Sequence, residues 1–496
     1  MSISRTKRNS LLNLPMLLRI VGFLLLVESA FMLIPLITTI VYEEHDFWAF
    51  LITFAVTLVA GLLLTMVVRP SRSDMGKREG ILLTAFTWLS FTIFGMIPYL
   101  LSSTPQSFNN AFFETISGFT TTGATVLPTV ENLSHGILIW RSLTQWIGGM
   151  GIILFTIALL PMLNYSGGIQ MFNAEVTGIT HERLRPRISQ TAKGLWLVYI
   201  TLTALMCVVL CVGPMGLFDS ICHSFSCMAT GGFSTRDAGI EAWGGYYNKT
   251  VITVFLFLSG TNFTLIYRST VMRDPRVLFK NETFRTYIGI VVVAFILSFI
   301  SIGLLNPHYS IAKLTFNSLF HTVSTASGTG HLIEGYDQWG AFAMSVTFVL
   351  MFIGACAGST TGAVKVDRII CLAKNCRNEI KRAVKPNHVL PVRLNGKVLP
   401  TSTTNKVVSF TFLFIIVTIA GGLTLTAMGV PLIDSAFSAF SCITNVGFGA
   451  GITGYGAGGY EIIPDAGKWV LALLMLIGRL EIFTILALFS PTFWKR

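Results

Sequence analysis

The chain has 496 residues, of which 52% are hydrophobic and only 12% charged, with a formal net charge of +12 and a mean hydropathy of +0.69. A soluble protein carries about 25% charged residues, so this composition excludes a water-soluble globular fold and points to a membrane. A nucleic-acid binder is excluded by where the charge lies: basic residues cluster in alternate loops, at 69–78, 183–193, 268–285, 365–406 and both ends, which the positive-inside rule places on the cytoplasmic side. The opposite loops carry Glu43, Glu44, Asp46, Glu131, Asp237, Glu241, Glu334, Asp337, Glu461 and Asp465. An acidic outer face of this kind raises the local cation concentration.

Taken in order, the first apolar run follows Arg5, Lys7 and Arg8 and is too long for a cleaved signal peptide, so it reads as an uncleaved first span. Spans at roughly 11–41 and 47–68 form an accessory hairpin, domain 1–75. A unit then begins with a span near 79–101, a short helix and Gly loop at 110–125, and a second span near 135–160. The same order recurs at 194–272, 286–372 and 404–489, giving pore repeats at 76–165, 190–275, 283–385 and 403–496.

The repeat is legible residue by residue. Counting back six, ten and thirteen places from Gly447 gives Ser441, Phe437 and Asp434. The same offsets from Gly330 give Ser324, Phe320 and Asn317, from Gly232 they give Ser226, Cys222 and Asp219, and from Gly123 they give Ser117, Phe113 and Asn110. A fourfold internal repeat follows. The spacing predicts that Asn110, Asp219, Asn317 and Asp434 cap short helices of about ten residues, some 15 Å, too short to cross a bilayer core of about 30 Å. Each helix enters and stops midway, and a Gly-containing segment follows whose carbonyls can turn to one side. Four such segments around one axis make an oxygen cage for a dehydrated monovalent cation. The predicted fold is an all-α integral membrane protein with four pseudo-symmetric helix, re-entrant pore-loop, helix repeats around one central pore, plus the N-terminal helical hairpin.

Three stretches invite separate readings. QWIGGMGI at 145–152 reads as glycine-mediated helix packing. The second span of the third unit runs from Trp339 to Cys371 with GACAGSTTG at 354–362 in its middle. Small, poorly helix-forming residues there predict an unwound loop under the four segments, either a movable gate or a fixed packing kink. It is not a phosphate-binding loop, since Ala363 follows Gly362 where a lysine is required. Arg479 lies deep in the last span; it faces an aqueous pore as an electrostatic barrier or bridges to helix carbonyls or a carboxylate elsewhere. Glu481, two residues on, points to another side of the helix. Lys365, nearer the inner end, is expected to snorkel. The eight cysteines show no ligand spacing, and no nucleophile, base and orienter cluster suggests an enzyme. A Na⁺- or H⁺-coupled carrier is the alternative; it predicts inverted repeats and paired midplane breaks.

SGFTTTGATVL, ATGGFST, QWIGGMGI, GACAGSTTGAVKVDRI and GRLEIFT together resemble the TrkH and TrkG proteins of the Trk, Ktr and HKT potassium-transporter superfamily, over nearly the whole chain. The resemblance implies a homodimer in the bacterial inner membrane, multi-pass, with one pore per protomer, K⁺ as the transported ion and no organic cofactor. It implies a filter of Thr121, Thr122 and Gly123; Thr230, Gly231 and Gly232; Gly328, Thr329 and Gly330; and Asn445, Val446 and Gly447. It further implies a gate of Gly354, Gly358, Ser359, Thr360, Thr361 and Gly362 with Arg479, and a TrkA-like cytoplasmic nucleotide-binding subunit docking on the basic inner loops, where anionic membrane lipid also fits. Gly at all four key positions fits the K⁺-preferring pattern of the family. The third loop, STASGTGHL, departs from it by placing Gly328 before Gly330 and His331 after it, with His331 expected at the rim of the mouth.

Overall fold

The computed structural model describes residues 12–68, 76–102, 104, 107–149, 151, 188–331, 333, 339–454 and 459–495. The later part of the first unit's second span, Glu334, Asp337 and most of the 183–193 basic cluster lie outside them. Among the described residues the fold is helical apart from one antiparallel pair, Arg393–Leu394 with Lys397–Val398, in the basic loop between Val366–Val384 and Thr401–Ala427. Among the described residues, six helices are long and apolar enough to cross a membrane: Leu14–Val41, Phe47–Val67, Arg78–Leu101, Ala192–Val212, Glu282–Leu305 and Thr401–Ala427. At 1.5 Å per residue, even the 21-residue ones match a core of about 30 Å.

Two second spans expected to be continuous are broken. Tyr247–Ser259 meets Phe263–Thr270 at 102°, and Asp465–Leu480 meets Ile482–Phe489 at 118°. At the first break the Asn262 side chain caps the new helix, accepting from the Thr264 and Leu265 amides at 2.8 and 3.3 Å. At the second, Glu481 adopts φ +64°.

The short helices are Phe108–Phe119, Leu217–Met228, Ile311–Ala326 and Leu432–Thr444. Their caps are Ser107, Gly216, Ser310 and Pro431, which corrects the expectation that Asn110, Asp219, Asn317 and Asp434 would cap them. Those four lie inside the helices, where three of them take up bonds away from their own helix backbone. Asn110 Oδ1 accepts from Lys468 Nζ at 2.8 Å, Asn317 Oδ1 from Lys249 Nζ at 3.5 Å, and Asp219 Oδ1 from Thr235 Oγ1 at 2.6 Å.

The N-terminal hairpin is tightly crossed: a Cβ on Gly61 would lie 2.9 Å from the Gly22 carbonyl oxygen. Its outer turn is fastened to the first unit. Glu44 accepts from the His135 and Gly136 amides at 2.6 and 3.0 Å, capping the helix His135–Gly149. Tyr42 stacks on the His135 ring at 3.8 Å, and Asp46 accepts from Ser134. Two of the carboxylates expected to attract cations are thus committed to holding the hairpin. Glu44→Ala, which removes a charged cap, should lower unfolding stability by about 1 kcal/mol, read as a lower Tm of the detergent-solubilised protein; an unchanged Tm would mean that the hairpin is held by its helix packing alone.

Candidate functional site

All four Gly segments fold by the same local rule. The residue two before each key glycine is left-handed: Thr121 at φ +54°, Thr230 at +56°, Gly328 at +71° and Asn445 at +55°, and the key glycines themselves have φ of +79°, +84°, +77° and +85°. Between them, the amides of Thr122, Gly231, Thr329 and Val446 donate back to the carbonyls of Ser117, Ser226, Ser324 and Ser441 at 2.9, 2.9, 2.9 and 3.1 Å. This is a glycine-type helix stop, in which a left-handed residue lets the next amide reach an otherwise unpaired carbonyl. The backbone carbonyl that ends each helix thus belongs to the shared serine of the repeat, through a bond that does not use the serine side chain. Gly328, the departure in the third loop, occupies the left-handed position where the other loops bear the strain with a side chain, so the geometry is conserved although the residue is not. The Ser327 and Thr329 hydroxyls lie 2.8 Å apart, as do those of Thr120 and Thr122.

The segments meet in a closed ring. A Cβ on Gly123 would collide with the Gly231 carbonyl oxygen, on Gly232 with that of Thr329, on Gly330 with that of Val446, and on Gly447 with that of Thr122. Each loop abuts the next in chain order and the last returns to the first. The four glycines line one cavity of about 260 Å³ on the side of the loops that lead to the second spans. Two side-chain amides close its seams. Gln145 Nε2 donates to the Gly231 carbonyl at 2.7 Å, and Asn445 Nδ2 donates to Thr122 Oγ1 and to the Met475 carbonyl, both at 2.9 Å. His331, expected at the rim, lines this cavity but is 2% exposed, its Nε2 3.3 Å from Cys227 Sγ.

Behind the first segment lies an ion pair that the sequence reading missed. Glu114 and Arg141 are 0% and 2% exposed and 2.9 Å apart. Glu114 also accepts from Thr125 Oγ1 and the Val126 amide at 3.0 Å each, while Arg141 reaches the Ser234 carbonyl at 3.2 Å and the Phe233 ring at 4.2 Å. The pair ties the outgoing strands of the first two segments together. A signal was available: each charge stands alone in an apolar run, NAFFETISGF and GILIWRSLTQW, and intramembrane charges come in partners.

Between Gly340–Ile353 and Val366–Val384 the chain is non-helical, with Gly354 and Gly358 at φ +67° and +77°. This segment presses on the ring. Thr360 Oγ1 lies 3.1 Å from Thr230 Oγ1, and a Cβ on Gly362 would be 2.6 Å from the Thr444 carbonyl oxygen and 2.7 Å from Asn445 Oδ1. Ser359 Oγ donates to the Cys356 carbonyl at 2.6 Å and pairs with Thr361 Oγ1 at 2.9 Å, forming an internal turn. Of the readings open for Arg479, the guanidinium shows the carbonyl bridge: it donates to Thr360 O at 2.5 Å, to Gly149 O at 2.9 Å and to Gly148 O. Glu481 pairs with Arg368 at 2.5 Å. Lys365 does not snorkel; it is 2% exposed at the foot of the segment, where its φ is +77°.

Glu114→Gln leaves Arg141 buried without its counter-charge, which costs about 3–5 kcal/mol. The variant should show a markedly lower Tm, and the pair Glu114→Gln, Arg141→Met should recover part of the loss; equal Tm values in all three proteins would remove the pair from the support of the ring.

Residues 47–496 match the family model described as "TrkH: Cation transport protein". The Trk system potassium uptake protein TrkH of Escherichia coli K12 is 37% identical over 480 residues, 96% of this chain and 98% of that protein. The Trk system potassium uptake protein TrkG of the same strain is 31% identical over 480 residues, 96% of this chain and 97% of its own length. The crystal structure of the potassium transporter TrkH from Vibrio parahaemolyticus superposes with a TM-score of 0.87 at 34% identity, covering 97% of this chain and 100% of that one. With its multi-pass helical fold, this chain belongs to the TrkH family of cation transport proteins.

Proposed function

We propose that this chain conducts K⁺ into the cell through the ring of four Gly segments. The observation that carries the reading is the closed circuit of glycine-to-carbonyl contacts, with every segment stopped by the same pair of left-handed residues. Carbonyls gathered in this way replace the hydration shell of a K⁺ ion, and Rb⁺, of similar size, is expected to substitute. The filter is assigned to 121–123, 230–232, 328–330 and 445–447. The pore repeats follow at 76–165, 190–275, 283–385 and 403–496, each with its own segment. One filter oxygen, that of Gly231, already accepts from Gln145, so a lone pair there is spent on position and the second remains for the ion.

The non-helical segment at 354–362 acts as the gate. It lies against three of the four segments and is tied to the first unit through Arg479. Arg479 sets both an electrostatic barrier below the ring and a tether on Thr360. The relatives are named as parts of a Trk system, which supports a multicomponent assembly: a homodimer in the bacterial inner membrane, with a TrkA-like nucleotide-binding subunit docking on the basic inner loop at 374–406. The paired breaks at 102° and 118° are a feature that a coupled carrier would share. The two readings part on ion dependence.

Expression in a host lacking its own potassium uptake should restore Rb⁺ uptake that an equal concentration of Na⁺ neither drives nor blocks; uptake that requires Na⁺ would favour the carrier. In the same assay Gly447→Ala, which drives a methyl into the Thr122 carbonyl, should reduce Rb⁺ uptake at least about tenfold without loss of membrane protein. Arg479→Ala should have the opposite sign and raise uptake severalfold, since a cationic barrier and a tether on the loop are lost together; a lower uptake would show that Arg479 only props the loop.

A further inference from the structure

Two helix breaks nearly a hundred residues apart meet beside the ring. The chain leaves the helix Tyr247–Ser259 at Gly260 and the helix Gly340–Ile353 at Gly354. Three hydrogen bonds cross between the two openings. The Cys356 amide donates to the Gly260 carbonyl at 3.1 Å, the Phe263 amide donates to the Gly358 carbonyl at 3.0 Å, and Asn262 Nδ2 donates to the Ala357 carbonyl at 2.7 Å. Asn262 therefore works at both ends: its oxygen caps the helix Phe263–Thr270 and its nitrogen grips the loop. The fit is close. Gly358 stands at φ +77°, and a Cβ there would lie 2.9 Å from Asn262 Nδ2.

The same clasp borders the cytoplasmic hairpin. A cavity of about 30 Å³, room for a single water, is lined by Asn262, Cys356 and Ala357 on the loop side and by Leu394 and Asn395 of the hairpin on the other. The hairpin is in turn locked to the start of the span Glu282–Leu305. The Glu282 amide donates to Asn395 Oδ1 at 2.7 Å, the Asn395 amide donates to Glu282 Oε2 at 3.2 Å, and Lys374 Nζ donates to Glu282 and, at 2.8 Å, to the Arg393 carbonyl.

We propose that Asn262 is the positioning residue of the gate: its Nδ2 bond to Ala357 holds the 354–362 loop against the ring, and displacement of the adjoining hairpin releases it. The proposal rests on the reading of that loop as the gate and names its anchor. In a two-state gate, a ligand or partner acts only through contacts that differ between the states, and a bond between units is such a contact, whereas a bond within a helix is not. Loss of one hydrogen bond of ordinary net strength shifts a two-state equilibrium about three- to tenfold.

The test is Rb⁺ flux into liposomes containing the purified full-length chain and no other protein. Asn262→Asp keeps the capping oxygen and turns the donor into an acceptor facing the Ala357 carbonyl, and Asn262→Ser keeps a cap while losing the reach. Both should raise basal flux about three- to tenfold while eluting as monodisperse protein, a gain that mere loss of packing does not produce. Should either fail to fold, the other and Gly358→Ala, which forces the two breaks apart, give the same reading. The triple variant Ser359→Ala, Thr360→Ala, Thr361→Ala separates the two levels. If it raises flux and the Asn262 variants do not, the anchor is wrong and the gate stands; if none raises flux, the gate assignment falls and the anchor falls with it.

Discussion

A glycine Cα pressed against the carbonyl oxygen of the neighbouring segment, four times around a closed circuit, is the constraint on which the rest of this structure depends. No side chain fits in that gap, so the position is fixed as glycine on steric grounds alone. The approach also demands that each short helix end abruptly, with its backbone turned through a left-handed residue two places earlier. A helix that ended by fraying would leave carbonyls unpaired at membrane depth, where no bulk water can satisfy them. The backbone carbonyl six residues before each glycine, which belongs to a serine in all four units, removes that cost and fixes the distance from helix end to glycine.

This coupling explains what the sequence disclosed. Ser-to-Gly spacing is a property of one turn, closed by local hydrogen bonds, and such patterns survive in a single sequence. The polar residue thirteen places before the glycine was equally visible, but its role was misread, because Asn110 and Asn317 answer to lysines on other units. A partner some 358 residues away leaves no periodic trace. The breaks at Gly260 and Glu481 lie in polar interruptions, SGTN and GRLE, of otherwise apolar runs; Asn262 caps the new helix at the first, and at the second Glu481 pairs with Arg368, a partner that only the folded chain assembles.

Within the fourfold arrangement lies a twofold one. Asn110 and Asn317 belong to the first and third units, and the lysines that bond them, Lys468 and Lys249, to the fourth and second. Hydroxyl pairs brace the first and third Gly segments, at Thr120 with Thr122 and Ser327 with Thr329, and side-chain amides serve at the second and fourth, Gln145 and Asn445. A single chain can differentiate its four segments in a way that four identical subunits cannot. It braces alternate segments by different chemistry while keeping the ring itself uniform.

The same freedom allows the third unit to carry a non-helical stretch between Gly340–Ile353 and Val366–Val384. Non-helical backbone at membrane depth persists only where other groups accept and donate in place of the helix. From 354 to 365 those groups come largely from elsewhere: Gly260 and Asn262 from the second unit, Arg479 from the fourth, and Phe352 and Ile353 from the helix just left, whose carbonyls take the Val364 and Lys365 amides. A segment held by bonds of this kind can lose one of them without unwinding a span, since each is made separately to a different partner. Helical segments cannot do this, because their bonds break only in cooperative turns. The stretch at 354–362 is thus the place in the third unit where hydrogen bonds to other units stand in for those of a helix.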